Sequence, residues 1–229
     1  MIAVPLPSDA VTLERDGRVW FRDALGADDL GLLDRACEVS GAPGARLDWT
    51  DGLARAIGAV SELTKLARRL QPGAMPVRVV VFNKSSDLNW NVPWHQDRVI
   101  AVRERHDVDG FHAWTRKAGV WHVEPPIGFL REMIFARVHL DDADAQNGCL
   151  ELALGSHAYG QVKADDAADV ARSARLEICR ARRGDVLFVK ALTLHRSRSS
   201  ARQTDRRTLR IDYCASSLPP PLAWAWRPE

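Results

Sequence analysis

The chain has 229 residues, 46% hydrophobic and 27% charged, with a formal net charge of +2 at pH 7. Those values describe an ordinary globular protein, best read as one domain, and give no electrostatic case for a nucleic-acid or membrane-surface partner. Four scattered cysteines without a Cys-x-x-Cys, and no apolar run of membrane-spanning length, argue against a structural zinc module and a transmembrane class. A cytoplasmic protein with a small-molecule partner is the default.

In chain order, Val11 to Phe21 alternates around Asp16-Gly17 and predicts a short hairpin. Asp28 or Asp29 then opens a helix reaching about Ser40, with Leu30, Leu33 and Cys37 on one face, and the stretch from Gly41 to Gly44 breaks it. A second helix is expected from about Gly52 to Leu70. Its apolar positions Leu53, Ile57, Val60, Leu63 and Leu66 or Ala67 keep helical spacing, and Gln71-Pro72-Gly73 ends it.

From Val77 the texture changes to strands. Val77 to Phe82 is β-branched and continuous, as a buried strand should be, and Arg131 to Leu140 alternates. Asp141 to Gly148 is a polar turn, Gly184-Asp185 opens another strand, and Arg206 to Cys214 alternates again. Many short strands after leading helices predict a mainly β fold with flanking helices, a double-sheet jelly roll of the cupin-like kind. The stretch from Ile100 to Leu130 is the longest irregular one. It is rich in aromatic and charged residues, which suggests a lid loop carrying substrate contacts. Leu218-Pro219-Pro220-Pro221-Leu222 marks the end of the strands, and the tail with Trp224 and Trp226 is expected to pack back on the domain.

The chemistry concentrates in Trp90-Asn91-Val92-Pro93-Trp94-His95-Gln96-Asp97. On a strand, residues i and i+2 share a face, so His95 and Asp97 present an imidazole and a carboxylate side by side. A third ligand is offered by His195 in Leu192-Thr193-Leu194-His195-Arg196-Ser197. Two histidines and one carboxylate on one side of a metal, with other positions open, is the facial triad of non-haem iron(II) oxygenases. The pattern is short, and His139-Leu140-Asp141 repeats its first half, while His157 competes for the distal place.

Four blocks in order supply the missing context: His95-Gln96-Asp97, Asn147-Gly148-Cys149-Leu150 running to Gly155-Ser156-His157, Gly184-Asp185 before a strand, and His195-x-Ser197 with Arg206 eleven residues after the histidine. Together they resemble the phytanoyl-CoA dioxygenase family of iron(II)- and 2-oxoglutarate-dependent oxygenases, from about Val11 to Tyr213. The resemblance implies Fe(II) on His95, Asp97 and His195, with 2-oxoglutarate and O2 as cosubstrates. It also implies that Arg206 binds the far carboxylate of 2-oxoglutarate, with Lys84 and Asn83 assisting.

Strand alternation groups Arg206 with Thr208 and Arg210 and puts Arg207 on the other face. A carboxylate at Asp97, where related halogenases carry Gly or Ala, points to hydroxylation. Arg98, Trp94, His122, Glu124, Arg137 and His139 are the candidate substrate contacts. The whole of 1–229 is read as one oxygenase-like domain. Its helical part covers about 27–73, its jelly roll about 77–214 and its lid about 100–130. The reading it competes with is a non-catalytic, zinc or cupin-type metal-binding jelly roll.

Overall fold

The computed structural model describes residues 8–37, 44–47, 50–84, 89–202 and 206–226. Helix α1, Ser8–Asp16, leads into strand β1, Arg18–Phe21. Helix α2, Ala27–Ala36, strand β2, Gly44–Arg46, and helices α3, Asp51–Ile57, and α4, Glu62–Leu70, complete the leading part. The helix expected to reach Ser40 ends at Ala36, and residues 38–43, where the glycine break was read, lie outside those described.

Two expectations in this region are corrected. The hairpin is a helix followed by a strand: Ala10 and Leu13 are buried at helical spacing, and Val11, which the alternation needed inside, is 49% exposed. Gly17 stops the helix in the left-handed region at φ +74, donating its N–H to the Leu13 carbonyl. A side chain there would also collide with His157 and Thr193 at 2.5 Å. The 52–70 helix is two helices, because Thr50 and Ser61 each act as an N-cap, accepting from Leu53 and Thr64 respectively. Val60, counted on the apolar face, sits 79% exposed in the connection.

The strands follow as β3, Met75–Lys84, β4, Val92–His95, β5, Ile100–Val102, β6, His112–Lys117, and β7, Val120–Glu124. Helix α5, Ile127–Glu132, precedes β8, Ile134–His139, and β9, Leu150–Leu154. Helix α6, Ala167–Ser173, precedes β10, Arg175–Ile178, β11, Val186–Lys190, β12, His195–Ser197, and β13, Arg206–Cys214. Six strands form one antiparallel sheet in the order β1-β11-β8-β13-β3-β2, and four form a second in the order β10-β9-β12-β4. This is the mainly β jelly roll with flanking helices.

The 100–130 stretch corrects a third expectation. It is no loop: β5, β7 and β6 make a three-stranded antiparallel sheet, and α5 follows. Its strands are short, and most of β6 is exposed, so neither a long apolar run nor a clean alternation announces them. Trp114 and Trp121 meet edge to face at 6.3 Å. The sheet rests on a cluster that includes Ile100, Val102, Val123, Leu218, Leu222 and Trp224. The C-terminal tail does return to the domain, with Trp224 bridged to Val102 and the Trp226 indole N–H donating to the Leu47 carbonyl at 2.7 Å.

The large sheet has two unlike faces. Val79, Val81, Ala136, Val138, Phe188, Leu209, Ile211 and Tyr213 point to the helices and form the main core with Leu13, Leu33, Ile57, Leu63 and Ala67. The other face looks toward the small sheet and carries Lys84, Arg137, Arg206, Thr208, Arg210 and Asp212, all buried. The four cysteines are buried, and none is in a disulfide. Burial raises the thiols of Cys37 to about 12 and Cys149 to about 11 and holds Cys179 well above its usual value. Among the described residues no helix is long and apolar enough to cross a membrane.

Phe188 is fully buried between the large sheet and its helices, touching Phe21 edge-on at 5.7 Å. Phe188→Ala is expected to lower unfolding free energy by about 3–5 kcal/mol through lost burial and the cavity left behind, read by urea denaturation. A cost below about 1 kcal/mol would mean that the helices are not closed on this face.

Candidate metal centre and anion cavity

The small sheet makes the histidine pair. Strand β12 lies antiparallel to β4 with His195 directly opposite His95, and the two rings stand 4.2 Å apart between centroids. Each imidazole has a backbone carbonyl two residues upstream at its Nδ1, Pro93 at 2.9 Å and Thr193 at 2.8 Å. The carbonyls are acceptors, so they fix the ring proton on Nδ1 and leave a lone pair on each Nε2, that of His195 standing 3.1 Å from Asp97 Oδ2.

Asp97 follows two residues after His95, its N–H donating to the Ala191 carbonyl at 3.2 Å. Gln96 between them points the other way and pins the turn. Its amide donates to the Gly160 and Leu192 carbonyls, each at 2.7 Å, and its oxygen accepts from Val162 N–H at 2.8 Å. One nitrogen from each histidine and one Asp97 oxygen all fall within 4.8 Å of one another. Three such donors on one side, leaving the other positions open, suit a divalent transition metal.

The carboxylate is held from the large sheet. Arg210 donates from Nη1 to Asp97 Oδ2 at 2.7 Å and from Nε to Asp212 Oδ1 at 2.6 Å, while Arg78 donates to Asp212 Oδ2 at 2.6 Å. Burial alone would raise the Asp97 carboxyl, and Arg210 with the two imidazoles overrides it, holding it well below the usual carboxylate range. Burial also acts on Arg210, but Asp212 and Asp97 outweigh it and keep the guanidinium charged. Burial, and then the neighbouring His195, lowers His95, which keeps that imidazole neutral.

Beside the three donors lies a cavity of about 160 Å³, lined at its far end by Phe82, Lys84, Trp90, Arg137, Ser197 and Arg206. Lys84 is 1% exposed and opposes Arg206 across the β3–β13 pair. It donates to Ser197 Oγ at 2.9 Å and to the Arg198 carbonyl, and Ser197 Oγ donates to the Gly148 carbonyl at 2.9 Å. The glycine of Asn147-Gly148-Cys149-Leu150 is required here. A Cβ at residue 148 would stand 2.4 Å from the Arg198 carbonyl oxygen and 2.9 Å from the Lys84 ammonium. Burial, and then Arg206, pushes Lys84 down to about 8. Arg206 is 1% exposed and Arg137 is 7% exposed, and the Nε–H of each has no hydrogen-bond partner. Buried guanidinium donors left open beside a cavity have the chemistry to pair with a carboxylate.

Strand alternation sorts the arginines of β13. Arg206 and Arg210 face the cavity, whereas Arg207 turns outward to Asp141, at 2.8 and 3.0 Å, and to Asp34 at 3.0 Å. Asn83, one residue before Lys84, is paired with Arg207 and so lies on that outer face, outside the cavity lining. His139 lies two residues after Arg137 and stacks on Trp20 at 5.7 Å, outside the lining too. The rival metal histidines are occupied elsewhere, His139 against Trp20 and His157 on the Glu14 carbonyl of α1 at 2.9 Å.

Of the remaining substrate candidates, Trp94 is stacked under Arg196 at 4.7 Å, and Arg98 approaches Glu124 at 3.8 Å. Glu124 also accepts from Gln161 at 2.9 Å, and His122 touches Arg46. None of these four lines the cavity, and no residue of the 100–130 sheet does. The sequence reading passed over Arg210 and Trp90 as site residues. The signal for Arg210 was present, since it shares the polar face of β13 with Arg206.

A family model described as phytanoyl-CoA dioxygenase matches residues 14–208. Among solved structures, AviO1 from Streptomyces viridochromogenes Tue57 is similar at TM-score 0.65 and 23% identity, covering 95% of this chain and 99% of that one. The epimerase SnoN in complex with Fe3+, alpha ketoglutarate and nogalamycin RO gives TM-score 0.68 at 17% identity, with 91% and 83% covered. EctD from S. alaskensis with 2-oxoglutarate and 5-hydroxyectoine gives 0.67 at 18%, with 90% and 74% covered. At these identities the structural likeness establishes the fold. No curated protein sequence matches the chain.

His139 supplies a pH test. Burial, and then Arg137, lowers it from 6.5 to about 3. The unfolded chain therefore takes up this proton first on acidification, so the contribution is present above about pH 6.5 and is lost as pH falls toward 3. His139→Phe keeps a ring against Trp20 and removes the titration. Between pH 7 and 4.5 the wild type is expected to lose about 2–3 kcal/mol more stability than the variant in urea melts. Parallel acid limbs for the two proteins would contradict a neutral, buried His139.

Proposed function

The chain belongs to the phytanoyl-CoA dioxygenase family of iron(II)- and 2-oxoglutarate-dependent oxygenases, and we propose that it hydroxylates a small organic molecule with iron held by His95, Asp97 and His195. The observation that carries this reading is the pairing of a three-donor cluster with a small cavity whose buried guanidinium donors have no partner. A zinc or merely structural jelly-roll centre needs the donors but gives no reason for an anion receptor beside them.

What a bound iron would supply is the activation of dioxygen, with 2-oxoglutarate oxidised to succinate and carbon dioxide and a substrate C–H converted to C–OH. The chain's part is geometric and electrostatic. Pro93 and Thr193 carbonyls orient the two imidazoles, and Arg210 holds Asp97 Oδ2, the oxygen that stands 3.1 Å from His195 Nε2. Arg206 takes the far carboxylate of 2-oxoglutarate, with Lys84 supplying a second cation at the same end. The apolar walls, Phe82, Trp90 and Leu150, limit water in the cavity. Four cysteines outside any disulfide fit the reducing cytoplasm as the compartment, and the near-neutral net charge suits a small-molecule partner rather than nucleic acid.

Anaerobic protein given Fe(II) and 2-oxoglutarate is expected to develop the weak visible charge-transfer band of a chelated keto acid. His95→Ala should abolish the band and release the metal. Arg206→Ala should need roughly 30-fold to more than 1000-fold more 2-oxoglutarate, because a buried carboxylate loses its bidentate partner at a cost of about 2–5 kcal/mol. Arg207→Ala, whose guanidinium is turned to Asp141 and Asp34, should leave the titration unchanged. Absence of the band in the wild type at saturating iron would remove the oxygenase reading.

A further inference from the structure

The cavity holds more positive charge than the single expected arginine provides. Arg137 comes from β8, on the opposite side of β13 from β3, yet its guanidinium lies over the ring of Phe82 on β3 at 5.8 Å. Two strand spacings, roughly 10 Å, separate β8 from β3, so the two side chains between them span β13. Thr208 of β13 pairs with Phe82 on one side and with His139 of β8 on the other. Arg206 reaches the same place from the other direction, donating from Nη1 to Thr208 Oγ1 at 3.4 Å. The two guanidiniums thus converge above Thr208, each with an open Nε–H and neither with a carboxylate partner among the described residues.

We propose that Arg137 and Arg206 form a two-arginine clamp on one carboxylate, the far carboxylate of 2-oxoglutarate, and that Arg137 thereby selects 2-oxo diacids over 2-oxo monoacids. This rests on the oxygenase reading and adds to it a second binding residue from a different strand. Cavity size decides between one occupant and two. About 160 Å³ lies well below the roughly 300–1,000 Å³ of pockets that take drug-sized ligands, so the two arginines face the same small molecule. Electrostatics agrees: burial, and then Arg206 ahead of Arg210, pushes Arg137 down to about 9, the signature of like charges waiting for an anion. The contrast with Arg210 is instructive, since that arginine is already matched by Asp97 and Asp212. Arg196, which also lines the cavity, is matched by Glu151 at 2.7 Å.

The test measures binding, not turnover. Anaerobic, Fe(II)-loaded protein is titrated by calorimetry with 2-oxoglutarate and with 2-oxopentanoate, which has the same keto-acid end and no far carboxylate. Arg137→Gln is expected to weaken 2-oxoglutarate about 10- to 100-fold, the loss of a charge-assisted pair, and to leave 2-oxopentanoate unchanged. Arg137→Lys, which keeps the charge but not the fork, should fall between. If Arg137→Gln proves unfolded, the lysine variant carries the comparison alone. Unchanged 2-oxoglutarate affinity in either folded variant overturns the clamp. So does an equal loss for both keto acids, which would put Arg137 at the metal-chelating end. Failure of the wild type itself to bind 2-oxoglutarate with iron present would instead overturn the oxygenase reading, so the two ideas fail separately.

Discussion

The contact on which the site depends is the 2.7 Å pair between Arg210 and Asp97. It joins the large sheet to the turn just beyond β4, and so sets where the metal-ligand carboxylate stands relative to both histidines. A buried carboxylate without such a partner would protonate or turn to solvent, because a charge taken out of water is costly unless paired. Here the pairing continues through Asp212 to Arg78, so each of these four charges has an opposite neighbour. Phe135, with the Arg210 guanidinium 4.3 Å above its ring, closes the remaining side. The ligand's charge and its orientation come from the same set of bonds.

That arrangement is possible because β13 works as a partition. Its odd residues, Leu209, Ile211 and Tyr213, lie in the helix-backed core, and its even residues, Arg206, Thr208, Arg210 and Asp212, face the small sheet, Arg206 and Arg210 lining the cavity. Pairing with β8 on one side and β3 on the other gives β13 a fixed register over most of its length. A one-residue slip would send four buried polar groups into the apolar core. The energetic pressure that keeps the core dry is therefore also what keeps Arg206 and Arg210 turned to the cavity. Position in the sheet and function at the site are the same constraint.

Much of this was legible in the chain. Residues two apart on a strand had to share a face, which put His95 beside Asp97 and separated Arg206 from Arg207, and the jelly roll followed from many short strands behind two helical stretches. The failures have physical causes. Val11 to Phe21 alternates in composition, but helix α1 buries Ala10 and Leu13 and leaves Val11 in solvent, so a period of two masked one of 3.6. The 100–130 strands are short, β6 is largely exposed, and the packing of the others is supplied in part by Trp224 and Leu218 from the far end of the chain. Local pattern carries no trace of that distant partner. For the same reason, the partnership of Arg210 with Asp97 and of Arg137 with Arg206 could not be read in advance: each is a cross-strand fact, fixed by sheet order.

Three of the buried cysteines, Cys37, Cys149 and Cys179, bear on a hazard that dioxygen chemistry brings with it. A sulfur becomes vulnerable to oxidation, and competent to capture a transition metal, as the thiolate. Cys149 opens the strand that walls the cavity, close enough to Arg206 for that arginine to favour its ionisation, yet burial wins and holds it at about 11. Cys179 and Cys37 are kept protonated by the same desolvation. Near neutral pH these sulfurs therefore stay as thiols, poor nucleophiles and poor ligands. Burial thus gives the protein chemical selectivity as well as packing: an oxidising centre can operate among soft donors without being captured or quenched by them.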